Sequence, residues 1–162
     1  MLMSMGYVAR IGCALALLAV AACASPPPKP VPAKLAIQAA ADINPDSGAR
    51  ASPVVVRFFQ LKTDAEFAGA QFFPLYDNEK AVLGAGLISR DEYTLTPGQR
   101  QQLEVPVSPD TRFFGVMAAF RDPDAQWRVV VPASAKSIKN GFNGTRLTIQ
   151  LTKTAVALTV ND

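Results

Sequence analysis

The chain has 162 residues, enough for one domain and barely for two. Hydrophobic residues make up 49% and charged residues 18%, and 16 basic against 13 acidic side chains leave only +3, too weak a bias for a dedicated nucleic-acid surface. Histidine is absent, which excludes Ser-His-Asp and Cys-His nucleophile systems and His-ligated zinc; both cysteines, Cys13 and Cys23, precede the folded part, which therefore holds no disulfide.

Residues 1–22 read as a bacterial secretory signal. Arg10 is the single positive charge before an apolar run, Ile11 to Ala22. That run of 12 residues is too short to cross a bilayer as a helix, which needs about 20. It ends in Val20-Ala21-Ala22-Cys23, which resembles the bacterial lipobox, with Val20 where Leu is favoured. Lipoproteins of this kind are cut between the residues that stand here as Ala22 and Cys23. The Cys23 thiol then carries a diacylglyceryl group and its amine a third acyl chain. Each buried CH₂ contributes roughly 0.8 kcal/mol, so several chains anchor essentially permanently. No other cofactor is expected. Ala24 carries no inner-membrane retention charge, which points to the outer membrane. Ser25 to Pro32 holds five prolines in eight residues and favours an extended tether. The expected organisation is signal 1–22, lipidated Cys23 and tether 23–33, and one folded domain 34–162.

The domain reads as strands. Leu35, Ile37 and Ala39 alternate with Ala36 and Gln38. A polar stretch with turn residues, Asp42 to Pro53, follows and is long for a hairpin, as binding loops often are. Val54 to Leu61 is apolar on both parities, a central strand covered on two faces. Thr63-Asp64-Ala65-Glu66 fits a capping box, and Phe67, Phe72, Leu75 and Tyr76 have helical spacing. Gly69 and Pro74 keep any helix short, and Gly84 and Gly86 close it, so one or two short helices cap the sandwich.

Tyr93 and Leu95 form the next alternation, then Pro97-Gly98 turns the chain. Leu103, Val105 and Val107 follow, with Pro106 marking an edge strand. Arg112 to Phe120 predicts a second doubly buried strand, and Trp127, Val129 and Val131 alternate with Arg128. Asn140-Gly141 and Asn143-Gly144 are turn signals. Leu147, Ile149 and Leu151 point one way, and Val156, Leu158 and Val160 have the opposite parity, which demands a turn or bulge at 152–155. About eight strands at this spacing predict an all-β, two-sheet sandwich.

Candidate chemistry is sparse. Asp91 and Glu92 are strand neighbours and face opposite ways, so they cannot share a site. Asp122-Pro123-Asp124 sits on a turn, where Asp caps backbone. No Gly-rich phosphate loop, CxxC or metal-spaced cluster occurs. The aromatics Phe58, Phe59, Phe72, Phe73, Tyr76, Phe113, Phe114, Phe120 and Trp127 could line a pocket for a hydrophobic ligand, but their spacing favours core packing.

Several pieces in order are similar to the type VI secretion lipoprotein family TssJ, also called SciN. They are the lipobox, the Pro tether, Asp42-Ile43-Asn44-Pro45-Asp46, Arg50 to Arg57 and Gln60-Leu61-Lys62. Phe67…Phe72-Phe73-Pro74-Leu75-Tyr76, Leu95-Thr96-Pro97-Gly98 and Val116 to Asp122 with Trp127-Arg128 continue the set. The resemblance implies a transthyretin-like β-sandwich with helical additions. It implies a non-enzymatic lipoprotein of the outer membrane that faces the periplasm. It further implies binding to the periplasmic C-terminal domain of TssM, a large inner-membrane subunit, in a complex that anchors the secretion machine. The loop between the first two strands contributes to that contact in the family. Here the corresponding candidates are Asn44, Pro45, Asp46 and Arg50, although Asn44 and Asp46 could equally build an Asx-type turn. Two rival readings are another outer-membrane lipoprotein, such as a secretin pilot or a carrier of a hydrophobic ligand, and a carboxylate hydrolase. The second is disfavoured by the lack of histidine and of converging acids.

Overall fold

Ala33, Leu35, Ile37 and Ala39 place every second side chain of strand β1 (Val31–Ala39) in the interior. The computed structural model describes residues 29–162; the expected signal, Ala22 and Cys23 lie outside the described residues. β1 begins at Val31, three residues ahead of the expected domain start at 34. Pro32 is tolerated because it lies opposite Pro106, so neither strand offers a donor that the other must meet.

β1 lies between β4 (Arg100–Val107), which runs antiparallel to it, and β7 (Arg146–Leu151), which runs parallel. β8 (Val156–Asn161) completes a four-stranded sheet in the order β4-β1-β7-β8. The second sheet has the order β3-β2-β5-β6, with β2 at Val54–Leu61, β3 at Leu87–Leu95, β5 at Phe113–Ala118 and β6 at Arg128–Pro132. Inward side chains of both sheets form one core, in which the Phe58 and Phe114 rings stack 5.6 Å apart and Phe142 closes edge-on at 5.9 Å. The two-sheet sandwich expected from the alternation is present, and Pro106 does lie on an edge strand. Thr152 to Ala155 is a tight turn, with the Thr152 N–H donating to the Ala155 carbonyl at 2.9 Å. That turn accounts for the change of parity between β7 and β8.

β2 is buried on both faces. Val54, Val56 and Phe58 enter the core between the sheets, while Phe59 and Leu61 point to the other side. There they meet three short helices, α1 (Ala65–Gly69), α2 (Phe72–Asp77) and α3 (Glu79–Leu83), followed by a 3₁₀ turn at Gly84–Gly86. Phe67, Leu75 and Leu83 supply the helical side of this second cluster. Pro74 sits in the first turn of α2, where its missing N–H has no intrahelical partner to lose. The capping box does not form as expected. Asp64, not Thr63, is the N-cap of α1, and the Thr63 hydroxyl bonds the Glu66 carboxylate side chain to side chain at 2.9 Å.

Charged groups fasten the helices to the sheet. Arg57 Nε donates to Glu92 at 2.7 Å, and its guanidinium lies 4.1 Å from the Tyr76 ring centre. Arg90 pairs with both Glu79 and Glu92. Burial alone would raise the Glu79 carboxyl, but its own backbone N–H and the two arginines outweigh this and hold it below 4.5.

Two further expectations are corrected. The strand foreseen at Arg112 to Phe120 is shorter, because Phe120 N–H turns back to the Ala118 carbonyl. Trp127 precedes β6 and packs edge-on against Phe72 at 5.2 Å, on the helical side rather than with Val129 and Val131. A fourth helix, α4 (Ala135–Lys139), precedes the Asn-Gly turns; it is one turn long and has no apolar period to betray it.

Gly115 on β5 lies directly under Phe67 of α1. A Cβ there would lie 3.0 Å from the Phe67 ring. Gly115→Ala should overpack the second cluster and cost about 1–3 kcal/mol. Thermal unfolding should show this as a melting temperature several degrees lower, with the far-UV spectrum unchanged.

Candidate functional site

The topology sorts the connections into two ends. The β1–β2, β3–β4, β5–β6 and β7–β8 connections share the loop end, while residues 29–31 enter the first sheet at the opposite, tether end. The polar stretch expected to bind a partner, Asp42 to Pro53, therefore lies about one strand length, ~30 Å for nine residues, from the tether.

Ile43 roots this loop in the main core and is fully buried. Asn44 follows it with φ +47°, a left-handed conformation that Asn adopts more readily than most residues. Its backbone N–H donates to Lys153 carbonyl at 3.0 Å. Its side-chain Nδ2 donates to Pro53 carbonyl at 2.7 Å, and Oδ1 accepts from the Arg121 backbone N–H at 2.7 Å. One residue thus joins its own loop, the β5–β6 loop and the β7–β8 turn. Asn44 is only 3% exposed, and through these bonds it positions the loop from below.

Pro45 and Asp46 are half-buried, and residues 47–51 are exposed. Asp46 closes the tip. Its Oδ1 accepts the Gly48 and Arg50 backbone N–H groups at 2.9 and 3.0 Å. Its Oδ2 accepts from Arg50 Nε at 2.9 Å and lies 2.8 Å from the second terminal nitrogen. Ala49 takes φ +60° to complete the turn. The Arg50 side chain is held at one end yet remains 84% exposed. A shallow hollow beside it is lined by Pro45, Asp46, Ser47, Arg121 and Asp122. Asp122 Oδ1 caps the Asp124 N–H at 2.9 Å, the turn role expected of it. The result is a pre-shaped polar rim with fixed charges of both signs, suited to a protein surface.

The neighbouring acids Asp91 and Glu92 do not share a site. Glu92 faces the helices and Asp91 the opposite side, as the strand period requires. Burial pushes Asp91 up and, together with the Asp91 charge, pushes Tyr93 up to about 12. Among the described residues no group of three His, Cys, Asp or Glu side chains could hold a metal, and no helix is long and apolar enough to cross a membrane. Nearly all of the aromatics named above pack, as their spacing favoured; Phe73 alone is 72% exposed. Sequence reasoning missed Arg121 as a neighbour of the loop. Only the pairing of two distant loops reveals it, and no local pattern encodes that.

The Asp46 ring sets a pH response. The Arg50 backbone N–H, the Arg50 side chain and the Gly48 N–H hold its carboxyl below the ordinary 3.8. A depressed carboxylate stabilises the folded loop above its unfolded value and loses that contribution as pH falls through its folded value. The amide signals of Gly48 and Arg50 should therefore stay fixed from about pH 8 to 5 and move together only below 3.8. Asp46→Asn should shift both at neutral pH.

The model of the T6SS-SciN family, described as type VI secretion lipoprotein, VasD, EvfM, TssJ, matches residues 32–154. Among curated protein sequences none matches. The fold is similar to the T6SS lipoprotein TssJ1 from Pseudomonas aeruginosa, with 32% identity, a TM-score of 0.73 and coverage of 82% of this chain and 98% of that one. It is similar to Serratia marcescens Lip, a membrane-bound component of the type VI secretion system, with 28% identity, a TM-score of 0.71 and coverage of 79% and 96%. A third match is a chain in a structure described as the T6SS protein TssM C-terminal domain (869-1107) from EAEC, with 27% identity, a TM-score of 0.62 and coverage of 78% and 99%. A lipobox-like N-terminus, a two-sheet sandwich with a helical cover and a family match over most of the domain agree: this chain belongs to the type VI secretion lipoprotein family that includes TssJ.

Proposed function

We propose that the protein is a non-enzymatic adaptor, acylated at Cys23 and held at the outer membrane facing the periplasm. It binds the periplasmic domain of a TssM-like inner-membrane subunit through the β1–β2 loop. The observation that carries this reading is the polarity of the sandwich. The tether joins one end, and the braced loop, with Pro45, Asp46 and Arg50 outward, stands at the other. A lipid anchor on the tether would present that loop away from the membrane, toward a partner from the opposite side of the periplasm.

Two further observations support it. Both coverages of the match to the TssM domain structure make the matched chain about as long as this domain, much shorter than the TssM stretch named with it. A chain of this fold accompanying a TssM domain fits those lengths. The interior speaks against a carrier of hydrophobic ligands, since Phe58, Phe114 and Phe142 fill the space between the sheets.

Replacing Pro45 to Arg50 with a Gly/Ser segment of equal length, and leaving Asn44 in place, tests the loop. The melt should stay near wild type, because the replaced residues lie outside the core. Affinity for the purified periplasmic domain of the TssM-like subunit should fall at least tenfold, since interface anchors are typically worth about 2 kcal/mol or more. Full-strength binding by the folded variant would move the interface elsewhere.

Cys23→Ser tests the anchor. The variant should leave the membrane fraction and appear as soluble periplasmic protein, with secretion lost. Recovery in the outer-membrane fraction would show that acylation is not what holds it.

A further inference from the structure

We propose that the tether end of the domain is itself a membrane-docking surface for anionic phospholipid headgroups, built on α4 and the start of β7. This rests on the reading of Cys23 as the lipid anchor and adds to it a defined orientation of the domain.

The surface is assembled by hydrogen bonds, not by proximity in sequence. Lys34 N–H, just inside β1, donates to the Thr145 carbonyl at 3.1 Å. The Thr145 hydroxyl bonds to the buried Ser137 hydroxyl of α4 at 2.9 Å. Arg146 is the register partner of Lys34. The short helix is thereby fixed beside the point where the tether joins the sheet. Lys136 and Lys139 stand exposed on it, and Ile138 between them is exposed at 36%. Phe73 and Ile138 are the two exposed large apolar side chains of the described residues, and Ile138 lies on α4 in the β6–β7 connection, at the tether end. An exposed aliphatic side chain flanked by lysines is the pattern of a surface that enters a headgroup layer.

Lys29, Lys34, Lys136, Lys139 and Arg146 supply positive charge at this corner. Two acids share it. Glu104 lies opposite Lys34 on β4. Asp162 is occupied by the Ser134 and Ser137 hydroxyls, which hold its carboxyl below 3.8. The loop end, in contrast, mixes both signs, with Asp42, Asp46, Asp122 and Asp124 beside Arg50, Arg121 and Lys153. The leash fixes the occupant. Cys23 and Val31 are eight residues apart, which span at most about 28 Å when fully extended. An acyl-anchored domain on so short a leash meets the bilayer at high effective concentration. The face it can bring there is the one where the leash joins, and the Debye length of about 8 Å favours contact over hovering.

The test uses the acylated full chain in vesicles of phosphatidylethanolamine with phosphatidylglycerol. Cys13 leaves with the signal and Cys23 is acylated, so a single introduced cysteine takes an environment-sensitive label. Asn140→Cys reports on the tether end and Ser47→Cys on the loop end. A nitroxide lipid labelled at headgroup depth should quench the label at 140 at least about twofold more than the label at 47. The difference should shrink at high salt and without phosphatidylglycerol. It should vanish in a Lys136→Glu/Lys139→Glu variant that still floats with the vesicles and melts as the parent does. Equal quenching at both positions in floating protein would overturn docking while leaving the anchor intact. Failure of the acylated preparation to float would overturn the anchor, and docking with it.

Discussion

A strand that is apolar on both faces must be covered twice, and β2 imposes that demand on the whole domain. The first sheet covers one side with Leu35, Ile37, Leu147 and Ile149. The helical segment between β2 and β3 covers the other with Phe67, Leu75 and Leu83. Burial of large apolar side chains is worth roughly 1.5–3 kcal/mol each, so leaving either face open would cost more than a small domain can spare. The cover is therefore part of the fold, and the ion pairs of Arg57 and Arg90 fix its position more than they add stability. With both flanks of β2 occupied, the surfaces left for recognition are the two ends, the outer face of the first sheet and the outer side of the helical cover, where Phe73 is exposed.

The two ends are built by different means. At the loop end, a single buried amide on Asn44 satisfies groups from two loops, and Asp46 folds the tip on itself through four contacts. The loop end is thus ordered by its own hydrogen bonds, and a surface ordered in advance loses less entropy on association than a loose one. At the tether end, Gln60 plays the corresponding part. It is buried, donates to Pro106 carbonyl at 2.8 Å and accepts from Ser108 N–H and the Thr111 hydroxyl at 2.9 and 3.0 Å. Those bonds join the β4–β5 connection to the middle of the opposite sheet. Both polar residues are placed where strands stop, and both use their amide nitrogen and oxygen in hydrogen bonds.

Strand period made much of this architecture legible. Leu35-Ile37-Ala39 and Leu147-Ile149-Leu151 define their inner faces by alternation alone, and the parity change before Val156 demanded the turn that is found. The double burial of β2 was legible for the same reason. What could not be read was non-local. Nothing local says that β1 pairs in parallel with β7, more than a hundred residues away, or that Asn44 meets Arg121. Trp127 kept the right parity and still went to the helical side, because the strand starts one residue later. Asn44 shows the limit for the site itself. A polar residue in a polar loop reads equally as a contact residue or as a turn former, and its burial with bonds to two loops was legible in neither reading.

The parallel pairing of β1 with β7 has a mechanical meaning. β1 is the strand that follows the tether, and the β1–β2 loop leaves from its far end. Tension applied between those two points runs along β1. The strand is an interior one, bonded to β4 on one side and β7 on the other, with bonds lying across the pull. Such a geometry strains its hydrogen bonds together in shear, whereas a force applied across an edge strand would peel them one after another. A domain strung this way resists extraction along the axis that links its two ends.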